Sequence, residues 1–140
     1  YRSPIPTFTS AHRTTQINQG GGTVAFVSQV GGEYLKYTVP ITGVYEFGLG
    51  GNSRQYSDGD FIGWGFMKNT VAEASSGNLD FPISAIQGMG SDSDEFQHNI
   101  AGTTLISLNV NDFVVPYIQS SQSSSFPGEV PLRFYGYLKG

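Results

Sequence analysis

A proline and a glycine three residues apart, set between two runs of alternating apolar residues, constrain this chain more than any other feature. The stretch is residues 37–49, YTVPITGVYEFGL. Leu35, Tyr37 and Val39 share one face of an extended strand, and Tyr45, Phe47 and Leu49 share one face of the next, which is the period-two pattern of a half-buried strand pair. Proline has no N–H for a sheet ladder and glycine reaches dihedrals closed to other residues, so Pro40 to Gly43 is a corner and not strand interior.

Composition extends this local reading to the whole chain. Charged residues make up 13% and aromatics 14%, with 19 glycines and 7 prolines, a mixture that favours many short strands joined by tight turns over amphipathic helices. At 140 residues the chain is expected to form a single domain large enough to bury a core without staples. The absence of cysteine excludes a disulfide framework and thiolate chemistry but leaves the compartment open. A net charge of -4 and a pI near 4.9 oppose binding to a phosphate backbone, so no nucleic-acid partner is expected. No apolar run reaches bilayer length, and membrane insertion is not expected. The chain begins at Tyr1 with no signal-like segment, which suggests the C-terminal head of a longer protein.

In chain order, Pro4 and Pro6 suit an extended lead-in and an edge strand, and residues 11–22, ending in Gly20-Gly21-Gly22, form a polar connection. No Gly-Lys-Ser/Thr follows that triplet, so it is a loop and not a phosphate cradle. Strands are expected over 23–30 and 34–39 with a Gly31-Gly32 turn, over 61–68, over 81–89, over 104–110 and 113–118 about an Asn111-Asp112 turn, and over 132–138. Residues 48–59, 69–80 and 90–99 are expected as exposed loops, and the low-complexity run 120–125 as a further loop or crossover. Strand 61–68, FIGWGFMK, is apolar on both faces, so it is either central to a sandwich or covered by another subunit. The final strand sets Leu132, Phe134, Gly136 and Leu138 against Arg133, Tyr135, Tyr137 and Lys139, one face packing inward and the other offering two tyrosines for a subunit contact.

The order aromatic, x, x, Pro, x, x, Gly, x, Tyr, x, Phe in residues 37–47 resembles the globular head of complement component one-q, a branch of the tumour necrosis factor-like jelly rolls. GTTLISLNVNDFVVPYI (102–118) resembles that family's strand, turn and strand, with Asn111 where the family usually has glycine, and FYGYLKG (134–140) resembles its closing motif. Asn tolerates the left-handed conformation, so the turn survives the exchange. The resemblance implies an all-β jelly-roll sandwich of two antiparallel sheets that assembles as a homotrimer. It also favours subunit contact as the role of the doubly apolar strand, making Trp64, Phe66, Tyr135 and Tyr137 the expected trimer interface.

Searching for chemistry yields no catalytic constellation. His12 and His98 stand in no metal-ligating pattern, and the serines form no Gly-x-Ser-x-Gly elbow. Enzymatic activity is therefore not expected. Asp58 with Asp60, and Asp92, Asp94 and Glu95, supply oxygen ligands of the kind calcium prefers, but neither group matches the twelve-residue calcium loop. Complement-like heads can hold calcium near the apex, which keeps calcium as an alternative for the second cluster; solvated loops and no cofactor are the preferred reading. Arg54, Tyr56, Asp92, Asp94 and Glu95 are the expected ligand-binding residues, because loops on a rigid scaffold carry specificity.

The function expected is a homotrimeric binding head recognising a surface glycan or protein, located extracellularly or on a virion, with a viral fibre tip preferred over a secreted lectin-like or cytokine-like protein. A purely structural trimerisation cap or capsid decoration is the competing class, and a polysaccharide-acting enzyme the third.

Overall fold

The computed structural model describes residues 2–4, 17–19, 23–29, 32–55, 61–72, 74–75, 77–87, 96–121 and 132–140. Among the described residues ten strands follow in chain order: β1 (Arg2–Pro4), β2 (Ile17–Gln19), β3 (Thr23–Gln29), β4 (Gly32–Thr38), β5 (Gly43–Gln55), β6 (Phe61–Lys68), β7 (Phe81–Gln87), β8 (Phe96–Leu108), β9 (Phe113–Ser120) and β10 (Leu132–Leu138). They form a six-stranded sheet of order β3-β4-β9-β6-β7, with β1 also on β9, and a four-stranded sheet of order β2-β10-β5-β8. The architecture is an all-β sandwich. Pairing is antiparallel throughout except for the three-residue contact of β2 with β10. The pairs nest: β6 with β7, β5 with β8, β4 with β9, β2 with β10.

The corner at residues 40–43 does what its proline and glycine require, with one difference from the expected strand pair. β4 and β5 do not pair with each other; the corner carries the chain from one sheet to the other. Its two flanking runs meet face to face across the sandwich, with Leu35, Tyr37, Val39, Tyr45, Phe47 and Leu49 all buried in the principal core beside Ile62, Trp64, Phe66, Ile106, Leu108, Val114, Ile118 and Phe134. Phe47 is the hub. Its ring lies 5.4 Å from Tyr37 edge-on, 5.8 Å from Phe66, and 6.2 Å from both Tyr45 and Phe134. Such offset and edge-to-face pairs contribute about 0.5–1.5 kcal/mol each beyond the area they bury. Phe47 also covers Gly136, where an added β-carbon would stand 2.5 Å from the Phe47 ring.

Three sequence expectations change here. β5 continues to Gln55, paired residue for residue with β8 back to Phe96, so 48–55 and 96–99 are strand where loop was expected. The glycines and polar residues that argued for a loop lie on a long two-stranded ladder whose pairing outweighs their low strand preference. β2 arises inside a segment read as a polar connection, through its three-residue pairing with β10. Val110, expected as the last residue of strand 104–110, lies in the turn and is half exposed.

The expectation that Trp64 and Phe66 meet a neighbouring subunit is also corrected. Both side chains are wholly enclosed within this one chain, between the two sheets, and have no surface left to offer a neighbour. The other face of β6 is covered by the chain itself. Met67, Leu79, Val115 and Tyr117 form a second buried cluster, flanked by Val71 and Phe113. The described residues of segment 69–80 thus cover the outer face of the six-stranded sheet through Val71 and Leu79 and do not form a free loop. Polar contacts hold them there: Arg2 Nη1 donates to the Asn78 carbonyl at 2.8 Å, Gln119 Nε2 to that of Gly77 at 2.9 Å, and the Tyr117 hydroxyl to that of Ala72 at 3.2 Å. Arg2 and Ala74 exchange both backbone hydrogen bonds.

The β8–β9 turn depends on a left-handed residue, and Asn111 takes φ 70° as its short amide side chain allows. Asp112 then locks the neighbouring connections together. Its carboxylate accepts from the Asn109 backbone at 2.8 Å and the Asn69 amide at 2.8 Å, and pairs with Lys68 at 3.0 Å. These donors hold its pKa down at about 2, against an ordinary 3.8, the Asn69 amide contributing most and then the Asn109 N–H and Lys68.

A folded-state pKa below the unfolded value gives stability that is complete above the unfolded pKa and fades as pH falls through the folded one. The thermal midpoint of the wild type should therefore fall between about pH 4 and pH 2, and Asp112→Ala should flatten the part of that fall due to this group. Parallel acid titrations followed by circular dichroism check this. A second expectation concerns Gly65, at the register shift between β6 and β7, where an added β-carbon would stand 2.8 Å from Pro82 Cα and overlap the Phe81 carbonyl. Backbone atoms cannot swing aside, so Gly65→Ala should cost roughly 1–3 kcal/mol in urea unfolding. Gly140→Ala, with nothing within 4 Å, should be neutral.

Candidate functional site

The surface that the fold leaves unexplained is the outer face of the four-stranded sheet. Register sets Tyr135 opposite Gly48 and Tyr137 opposite Glu46 across β10 and β5, then Glu46 opposite Leu105 and Val44 opposite Ser107 across β5 and β8. Alternation sends this set outward because Phe134, Phe47 and Ile106 point inward. Glycine at position 48 makes room for an aromatic ring: an added β-carbon would overlap the Tyr135 ring, which lies flat across β5. Tyr135 and Tyr137 stack alongside one another, their ring centroids 6.3 Å apart and their planes within 13°.

Glu46 orders this face. The Tyr137 hydroxyl donates to its Oε2 at 2.5 Å and Lys139 Nζ to its Oε1 at 3.2 Å. The Tyr137 hydrogen bond, followed by that of Lys139, holds the Glu46 carboxyl below its ordinary range. The same hydrogen bond, with repulsion of the phenolate by Glu46, raises the Tyr137 pKa, and Glu46 raises that of Lys139. Both carboxylate oxygens are engaged, so Glu46 acts as an acceptor that positions its neighbours. Beside this polar trio stand Val44 and Leu105, exposed by 36% and 56%. Aromatic rings, a glycine and exposed apolar side chains thus share the outer face of the four-stranded sheet.

Of the expected site residues, Tyr135 and Tyr137 lie on this face, each half-buried. Arg54 lies in β5 opposite Gln97 of β8. Tyr56, Asp92, Asp94 and Glu95 lie outside the described residues, as do His12, Asp58 and Asp60. Chain connectivity still relates them: Gln55 and Phe96 are register partners, so the segment that begins with Tyr56 and the one that ends with Glu95 leave the sheet from the same end. The second expected loop, 69–80, begins at the opposite end, where Lys68 meets Asp112, and its Val71 and Leu79 pack onto the six-stranded sheet. Among the described residues, no group of three His, Asp or Glu stands close enough to hold a metal ion, and no helix is long and apolar enough to cross a membrane.

Glu46, Gly48, Val44, Leu105 and Lys139 were not singled out from the sequence. The signal was present in the alternate positions of residues 37–49, where Val44, Glu46 and Gly48 interleave with the buried Tyr45, Phe47 and Leu49. Compared with known proteins, the chain matches no family model and no curated protein.

Glu46→Gln removes the charge that suppresses Tyr137 ionisation. The Tyr137 pKa should then fall back toward 10.0 while the fold is retained, as read from ring-carbon NMR shifts across an alkaline titration.

Proposed function

We propose that this chain is a binding head that assembles as a homotrimer through the outer face of the four-stranded sheet and recognises a surface glycan or protein. The observation that carries the reading is that face, where Tyr135 and Tyr137 lie over Gly48 and Glu46 with exposed Val44 alongside. The nested antiparallel pairs β6–β7, β5–β8 and β4–β9 support a jelly roll, and with it the likeness to complement one-q heads. Trp64 and Phe66 have no part in this interface; Tyr135 and Tyr137 keep theirs.

Recognition falls to the end of the sandwich where β5 stops and β8 starts. Arg54 stands near that end, and the segments carrying Tyr56, Asp92, Asp94 and Glu95 are continuous with it. Three identical sites on one rigid body multiply weak contacts through avidity, which suits polar segments with few aromatic anchors. The setting is extracellular or on a virion, with a viral fibre tip as the preferred form.

Light scattering should give a whole multiple of three times the 15.1 kDa chain mass. Tyr137→Ala should weaken association by on the order of tenfold or more, as truncating an aromatic interface anchor does. A glycan array probed with the trimer should show binding that Arg54→Ala and Tyr56→Ala reduce without changing the mass. A trimer that binds no sugar favours a structural cap, and a monomer overturns the head and the cap together.

A further inference from the structure

Among the described residues, β8 is the longest edge strand. It closes the four-stranded sheet, and among the described residues no strand lies on its far side. Its 13 residues pair with β5 along one side, which leaves alternate N–H and C=O groups facing outward along the other. Soluble proteins blunt such edges with charge, proline, bulges or brevity. The far end of the other sheet follows this rule, since β7 carries Pro82 and a register shift against β6. β2 is only 3 residues long, and β3, with 7, is about half the length of β8. From Phe96 to Val110 β8 and its turn contain no Lys, Arg, Asp, Glu or Pro. Gly102 faces the core, where an added β-carbon would stand 3.1 Å from Ile83 Cβ of β7. Beyond it, Thr103, Leu105 and Ser107 all have exposed side chains.

We propose that residues 103–107 pair antiparallel with the same run of a second copy of this chain, across a two-fold axis at Leu105, so that the two four-stranded sheets become one. The occupant follows from the sequence of the edge. A symmetric antiparallel register centred on Leu105 sets Leu105 beside the second copy's Leu105, and Thr103 opposite the second copy's Ser107. Apolar pairs and hydroxyl pairs directly across two strands are both favourable. A charged edge would meet its own charge in this arrangement, and this edge has none to meet. The contact uses the backbone edge of β8 and not the packing of the Tyr135–Tyr137 face, so it does not rest on the trimer reading and is compatible with it.

The chain has no cysteine, so one introduced thiol is a clean probe. Leu105→Cys under mild oxidation should give a covalent dimer on a denaturing gel with every thiol consumed, whereas Ser107→Cys, which would face Thr103, should cross-link poorly. Leu105→Lys, at an exposed position that should leave circular dichroism unchanged, should halve the solution mass by setting two ammonium groups side by side. The proposal is overturned if Leu105→Cys does not cross-link, if Ser107→Cys cross-links equally well, or if Leu105→Lys leaves the mass unchanged. It is also overturned if one thiol in three stays free, the pattern of three equivalent side chains around a three-fold axis. Failure of the trimer reading shows separately, as a wild-type mass that is not a multiple of three chains.

Discussion

The contact on which the rest of this molecule depends is the Phe47 ring against both sheets at once. It touches Tyr37 and Phe66 from the six-stranded sheet and Tyr45 and Phe134 from its own. On its own side it also fills the space that Gly136 leaves open. Dispersion between these rings is small for any one pair and large in sum, and a close-packed interior transmits any displacement of the hub to both layers. Because Phe47 points inward, Glu46 and Gly48 must point outward, and the candidate surface exists only as the reverse side of the core.

The two sheets use their outer faces differently. On the six-stranded sheet the chain spends its own residues 69–80 as cover, with Leu79 and Val71 over Met67, Val115 and Tyr117, and with Arg2 and Gln119 holding carbonyls of the cover in place. On the four-stranded sheet no such lid exists among the described residues, and Val44 and Leu105 stand partly in water beside the tyrosines. The doubly apolar β6 is thus satisfied internally on its second face, whereas β5 and β8 leave Val44 and Leu105 exposed. The ionised Glu46 is tied on one side to Tyr137 and on the other to Lys139, which fixes the ring and the ammonium and lowers the entropy left to lose on contact.

Much of the fold was legible in the residues. Alternation placed Tyr45, Phe47, Leu49 and Phe134 inward, Pro40 with Gly43 marked the corner, and Asn111 marked the left-handed turn, because each of these is a statement about one residue's own stereochemistry or about period two. Legibility failed where pairing overrode composition. The glycine-rich start of residues 48–55 looked like loop because strand preference is weak for glycine and asparagine, yet the register with β8 carries them as strand. Of the candidate site, Tyr135 and Tyr137 could be read directly, whereas Glu46, Gly48 and Leu105 could not, since nothing local tells that an outward position on one strand will lie beside an outward position on another.

What the sequence determined by itself is the class of structure: strands, corners, turns and which side of each strand avoids water, all set by steric and hydrophobic preferences acting within a few residues. What only the tertiary structure decided is ownership of the surfaces. It sealed Trp64 and Phe66 inside one chain, spent residues 69–80 on a second cluster, and brought Tyr137, Glu46 and Lys139 together from strands 91 and 93 positions apart. Alternation says that a face is apolar; only long-range packing says what covers it.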